Sequence, residues 1–415
     1  MNKSFIKKYG TLLILAAGAG IIFQLPYIRE TFYVPIQNAM QLSDSQMGML
    51  SSGYATMATL SYFVGGIVAD KFSARKLLTF SFILTGILGF WFSTFPGYNI
   101  SRLIFILMGV TTVITYWSAC IKATRMLGDE TEQGRLFGLQ EGLRGVINAL
   151  VVFGMTAAFT HYSDEIVGAA AAIRVCSVVL IILGILHFIV IEDTKSDEKP
   201  ESIVSVTVGM FKCLLIPRVW ILIAIIFTAY SVYGLIGYVT TFAQRFFGMT
   251  AATAATIGGI RYLLQGAGGI IGGFLADKLS RSKIIIIGCI GLAISFALYI
   301  FMPGNASICG LVIANFFFGL FFIYAVRSQY FAVQSEAGIP MALSGRVSGI
   351  SSAVGYLPDV FMYTLVGSWM DKFGRAGFNM TWVYAIVAAV LCVIITFTLE
   401  KIIKKGEPIV VEKKK

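Results

Sequence analysis

Twelve apolar stretches, each near the length that crosses a bilayer, recur through this 415-residue chain. A helix of about 20 residues spans the roughly 30 Å hydrocarbon layer. Inside that layer only helices or closed barrels satisfy every backbone N–H and C=O. The stretches run at 11–39, 46–69, 77–95, 99–124, 136–160, 166–191, 219–243, 251–276, 284–302, 305–333, 346–370 and 380–399. With 57% hydrophobic and 13% charged residues, the chain cannot cover itself with a polar surface, which in a soluble domain takes roughly a quarter charged residues. The predicted fold class is an all-α integral membrane protein with twelve transmembrane helices.

The start, MNKSFIKKYG, places basic residues before an apolar run, as a secretory signal does. The run continues into Pro26, Arg29 and Glu30 without a cleavage site, so it reads as a retained first helix. The six cysteines have no CxxC spacing and lie in or beside apolar spans, which makes them packing residues. With only His161 and His187 available, no metal centre and no cofactor are expected.

The net charge of +11 is set by topology and excludes no membrane role; nucleic acid is not an expected partner. If the N-terminus is cytoplasmic, twelve spans return the C-terminus to the same side. That side then holds Lys3, Lys7, Lys8, Lys71, Arg75, Lys76, Lys278, Arg281, Lys283, the central linker and the Lys-rich tail. The opposite side holds Arg102, Arg245, Lys372 and Arg375. This is the positive-inside distribution, and it predicts a multi-pass inner-membrane protein with both termini cytoplasmic.

A duplication organises the spans. GGIVADKFSARK at 65–76 and GGFLADKLSRSK at 272–283 keep Gly-Gly, Ala-Asp-Lys, Ser and the final Lys in one register. They follow spans two and eight. GRLFG at 134–138 and GRVSG at 345–349 open spans five and eleven. The polar, Pro-containing segment EDTKSDEKPES at 192–202 follows span six and reads as a solvated linker. The expected organisation is therefore a six-helix bundle over 1–191, a cytoplasmic linker over 192–217, a second six-helix bundle over 218–405, and a basic tail over 406–415. A parallel repeat of six-helix halves is an architecture of secondary transporters.

The repeated cluster resembles the loop 2–3 signature of the major facilitator superfamily: glycine, three residues, aspartate, a base, a variable residue, glycine, then basic positions. Gly66, Asp70, Lys71, Arg75 and Lys76 match it, with Ser73 standing where glycine is usual; Gly273, Asp277, Lys278, Arg281 and Lys283 repeat it. The resemblance implies the superfamily's two-bundle fold and a transport activity. It also implies a conformational latch in which the aspartate caps a neighbouring helix N-terminus and pairs with loop cations.

Charges inside the spans carry the substrate information, because one near a helix centre costs on the order of 2.5–3.5 kcal/mol on insertion scales. Arg29, Lys122, Arg144, Arg261 and Arg327 outnumber Glu30, Glu141 and Asp359. A cavity with surplus positive charge suits an anion. Arg29 lies in LPYIRETFYVP between Pro26 and Pro35, which resembles the span-one setting of a substrate-binding arginine in the superfamily's organophosphate exchangers. Their second arginine, in span seven, has no counterpart in TAYSVYGLIGY. Pairing of Arg29 with Glu30 or Glu141 is the alternative.

Trp117, Cys120 and Lys122 in YWSACIKATR resemble a span-four arrangement of the same exchangers; FFIYAVRSQYF in span ten supplies Tyr324 and Arg327 at matching depth. Arg261 lies sixteen residues before Asp277, about 24 Å along a helix, with Gln265 one turn later and Tyr54 as its partner in the repeat register. Glu141 and Arg144, three apart, can pair with each other. Asp359 follows Pro358 and either neutralises Arg261 or Arg327 or titrates as a proton carrier. Trp117, Tyr54, Tyr230, Tyr233 and Tyr324 are the aromatic cavity candidates, since each combines stacking with a hydrogen bond.

The expectation is a monomeric secondary transporter, not an enzyme, that moves a small organic anion (a carboxylate, sugar acid or phosphate ester) by proton symport or exchange. Its anion site would form where Arg29, Lys122, Arg261 and Arg327 converge on a central cavity. A proton-coupled carrier of a neutral polar solute and a non-transporting metabolite sensor are the alternatives. The chain has no Walker motif, so an ATP-driven pump lacks support. Besides substrate, its expected partners are protons and membrane lipid.

Overall fold

The computed structural model describes residues 3–128, 132–192 and 203–405, and its regular structure is helical throughout. Twelve spans follow one another along the chain, and a longer segment separates spans six and seven. Span one consists of Lys3–Ile21 and Arg29–Met40, span two is Asp44–Lys71, span three Ala74–Phe92, and span four runs from Tyr98 to Arg125. Spans five and six are Gln133–Thr160 and Glu165–Val190. Ile203–Cys213 forms a separate helix within the segment read as linker. Span seven comprises Pro217–Leu235 and Tyr238–Phe246, span eight Ala251–Leu279, span nine Arg281–Phe301 and span ten Cys309–Gln329. Span eleven is Met341–Gly355 plus Pro358–Phe373, and span twelve is Arg375–Lys404. Among the described residues, eight of these meet the length and composition needed to cross a membrane; the others are spans one, two, eight and eleven.

The breaks have local causes. Pro26 has no N–H to give back to the preceding turn and crowds its carbonyl, and span one loses regular helix over 22–28. Pro35 lies inside the following helix, where Phe32 leaves helical geometry at φ −125°, ψ 40°. Pro358 opens the second part of span eleven at the position where a missing N–H costs nothing. Span seven breaks at Ile236–Gly237 without a proline. The opening span of each half is thus interrupted.

Span four carries a different irregularity. Val110–Trp117 is π-helical, between the α-helices Tyr98–Gly109 and Ser118–Arg125. Three threonines line it: the Thr112 hydroxyl donates to Met108 O at 2.8 Å and that of Thr115 to Thr111 O at 2.7 Å. Ser81 of span three also donates to Thr111 O. Such segments interrupt α-helices where the ladder takes up an extra residue.

The chain packs as two compact units, one formed by 1–200 with 249–266, the other by 201–248 with 267–415. Large apolar side chains remain exposed on the outer helix faces of each, among them Leu150 and Ile189 in the first and Phe301 in the second. Exposed apolar side chains in such number suit hydrocarbon as the surrounding medium. The interior of the second unit is aromatic: Trp382 is fully buried and stacks on Phe296, centroids 5.4 Å apart, with Tyr299 at 5.4 Å and Phe242 at 5.6 Å.

Candidate functional site

In the first unit the decisive contact joins spans one and eight. Gly258 and Gly259 let the opening part of span eight lie close against its neighbours. A Cβ on Gly258 would meet the Thr31 hydroxyl at 3.4 Å, and one on Gly259 would lie 2.5 Å from the Phe153 ring. Tyr262 packs on Ala149 and Val152 of span five. This approach brings the Arg261 guanidinium onto the carboxylate of Glu30, as a buried ion pair and hydrogen bond. Glu30 sits in the first turn of the helix that resumes after the break, where the helix dipole favours an anion. Arg29, beside it, is also buried.

The other first-unit candidates are spread over spans two, four, five and eight. Tyr54 is buried, its hydroxyl 3.1 Å from that of Thr112 and its ring 5.5 Å from Tyr27. Trp117 ends the π segment, half-buried, 6.3 Å from the Phe23 ring. Lys122 is half-buried in the last turn of span four, and Gln265 is half-buried in span eight. Glu141 and Arg144 pair with each other at 3.1 Å at an exposed position. Sequence reasoning missed the buried amide pair of Gln24 and Asn148, which bonds span one to span five. Gln140, next to Glu141 in span five, bonds to span four: its amide donates to Cys120 Sγ at 3.2 Å while its carbonyl accepts from Thr124 at 3.1 Å.

The second unit holds a compact constellation. Arg327 in span ten lays its guanidinium over the Tyr233 ring, 4.2 Å from the ring centre. The phenols of Tyr233, Tyr330, Tyr356 and Tyr230 all lie within electrostatic reach of it. Among the described residues Arg327 makes no ion pair with a carboxylate. Tyr230 stacks on Tyr356 at 4.2 Å and sits 5.7 Å from Tyr233; Tyr324 meets Tyr233 edge-on at 6.5 Å.

Beneath these rings, Asp359 is buried and its Oδ2 accepts from the Tyr230 hydroxyl at 2.9 Å. Its other oxygen lies 3.4 Å from where a Cβ on Gly234 would be, so the glycine admits the carboxylate against span seven. Arg327, Tyr233 and Tyr356 are half-buried, whereas Tyr230 and Tyr324 are buried. The Tyr330 and Tyr356 hydroxyls are 3.3 Å apart.

The family model described as Major Facilitator Superfamily matches residues 9–361. The chain belongs to the major facilitator superfamily. It is 31% identical to the inner membrane protein YqcE of Escherichia coli (strain K12) over 98% of each chain, and 30% identical to YihN of the same organism over 88% of each. Its fold is also that of a solved bacterial homolog of the human lysosomal transporter Spinster, with a TM-score of 0.78 at 14% identity, covering 99% of this chain and 100% of that one. Family and fold are those of membrane transporters, and the twelve spans form the superfamily's two halves of six.

The superfamily's signature loops can be placed in part. The side chains of Gly66, Asp70, Lys71 and Asp277 lie outside the described residues. Arg75 lies over the Phe188 ring of span six at 4.0 Å, and Lys278 is exposed. The serine shared by both clusters caps the next span: Ser73 accepts from Lys76 N at 3.4 Å and Ser280 from Lys283 N at 3.4 Å. In the second unit Glu336, from the turn after span ten, joins that cap. It accepts from the backbone N–H of Arg281 at 2.6 Å and Ser282 at 3.1 Å, and its carboxylate lies 3.9 Å from the Arg281 guanidinium. Glu336 is invisible in the repeat pattern, because it sits 55 residues from the cluster that it holds.

Proposed function

We propose that this superfamily member is a secondary transporter that carries a small organic anion by alternating access, in symport with protons or in exchange. The observation that supports this most is Arg327, a half-buried guanidinium among phenols that pairs with no carboxylate among the described residues. A permanent charge in a low-dielectric setting gains most from an incoming anion. Arg261 has a different role in this reading: its charge is balanced by Glu30, so it shapes the protein and leaves the substrate to others. The test is uptake into proteoliposomes of labelled carboxylates, sugar acids and phosphate esters beside neutral sugars and nucleosides. Net uptake of an anion, reduced at least thirtyfold in apparent affinity by Arg327→Gln, is the expected result.

A proton-coupled carrier of a neutral polar solute is the second reading, and the Arg261–Glu30 pair favours it by removing one base from the expected anion site. Uptake confined to uncharged solutes would establish it in place of the first. Both readings keep the termini on the cytoplasmic side, where the basic clusters belong under the positive-inside rule.

A further inference from the structure

We infer that the helix Ile203–Cys213, in the segment read from sequence as a solvated linker, is an interfacial helix docked on anionic phospholipid where span seven enters the bilayer. This holds whichever solute is carried. Three observations carry it.

The first is the division of the helix into two faces. At about 100° per residue, Val208, Phe211 and Lys212 share one face, and Gly209, Met210 and Cys213 the other. The second face is covered by the start of span eleven. A Cβ on Gly209 would meet the Arg346 guanidinium at 3.0 Å, and one on Gly349 would lie 2.9 Å from the Met210 methyl. Cys213 is buried. On the first face Val208 is 44% and Phe211 52% exposed, and Leu215, in the turn that follows, is 66% exposed. Eleven residues make about 16 Å of helix, roughly half the hydrocarbon thickness. Such a helix cannot span, and its apolar face belongs at the boundary between headgroups and acyl chains.

The second is depth. The N–H groups of Leu214, Leu215 and Ile216 donate to the carbonyls of Phe211, Lys212 and Cys213 at 3.0, 3.1 and 3.1 Å, and Pro217 then opens span seven. The helix is therefore joined to the span by hydrogen-bonded turns, without a spacer. Trp220 of that span is exposed, and its indole N–H donates to Leu214 O at 2.8 Å. An outward ring with its N–H satisfied suits the membrane–water boundary. Exposed apolar residues thus lead from Phe211 through Leu215 to Trp220, onto a span that lies in lipid.

The third is charge. Lys212 lies on the outward face, exposed and without an ion pair among the described residues. Arg218 donates to Ala337 O, and Glu336 beside it holds the start of span nine, so the exposed Lys283 of that start lies at the same membrane face. A lysine lays its stem along apolar surface and carries its ammonium to the headgroups. Rings and ammonium together complement an acyl chain under an anionic headgroup. A purely apolar partner would leave the ammonium unmatched.

The test introduces Phe211→p-benzoylphenylalanine, a photoreactive side chain at an exposed position, into the full-length protein. It is reconstituted in nanodiscs of phosphatidylcholine with a minority of phosphatidylglycerol. Leu150→p-benzoylphenylalanine, on the exposed face of span five, is the reference. Mass spectrometry after irradiation identifies what each probe touches. Lipid adducts are expected at both positions, with phosphatidylglycerol enriched at 211 relative to 150. Lys212→Gln should lower that enrichment by up to about fivefold, the factor for one cation at an anionic surface, and Lys212→Arg should keep it. Adducts at 211 to another part of this chain or to a second copy would overturn the docking. So would the lack of any adduct at 211 while 150 labels lipid. Lipid adducts without enrichment, or enrichment unmoved by Lys212→Gln, would refute the choice of an anionic headgroup.

Discussion

Ser280 and Ser73 occupy the same place in the two repeated clusters, yet their backbones differ. Ser73 has φ −67° and ψ 142°, open to any residue, whereas Ser280 has φ 91° and ψ 151°, a region left almost entirely to glycine. Replacing a serine cap with glycine costs only a few tenths of a kcal/mol, while relief of such a backbone is worth on the order of 1 kcal/mol or more. Ser280→Gly should therefore raise the melting temperature of the purified protein, and Ser73→Gly should lower it slightly; equal shifts in the two would contradict the backbone argument. The shared serine was legible in the sequence, but its asymmetry was not, since φ depends on how each loop closes. Pairing was least legible of all. Glu30 and Arg261 are separated by 231 residues, and nothing in either stretch names the other. The local pair Glu141–Arg144, set by helical spacing, could be read directly.

At the scale of the helix, hydropathy made the spans visible because a run of apolar residues is a property of the chain itself. Interruptions at Pro26, Pro35 and Pro358 also have written causes. The break at Ile236–Gly237 and the π segment do not, because they answer to neighbouring helices. The contact between spans one and eight is the element-scale feature with the largest consequence for stability. Truncating one member of a buried pair strands the other, at about 3–5 kcal/mol. Glu30→Gln or Arg261→Gln alone should cost that much in thermal or denaturant unfolding, and the double substitution clearly less than the sum of the two. Simple additivity would mean that the pair is not coupled. Gly258 and Gly259 are part of the same feature, since a side chain on Gly259 would press into Phe153 and push Arg261 away from Glu30.

Across the whole molecule, the charges that the sequence places inside the spans divide unevenly between the two units. The first has Arg29, Lys122, Arg144 and Arg261 with Glu30 and Glu141; the second has Arg327 with Asp359. The surplus of bases read from the sequence belongs to the first unit, while Arg327, which pairs with no carboxylate among the described residues, belongs to the second. Counting could not separate these, because pairing is decided by packing. The repeat assigns all of span eight to the second half, yet its opening residues pack with the first unit, driven by glycine contacts that no register predicts. The π segment at Val110–Trp117 bears on something else, the chain's tolerance to a change of length. A helix that already carries one residue beyond its α ladder can lose one there and close into an ordinary α-helix, with the faces before and after it unturned. Removing a single residue between Val110 and Trp117 should leave folding and surface expression close to those of the parent. The same deletion in the middle of Glu165–Val190 has no slack to absorb it: each later side chain would swing by about 100°, the angle between neighbours at 3.6 residues per turn, and apolar positions would rotate inward where polar ones had been.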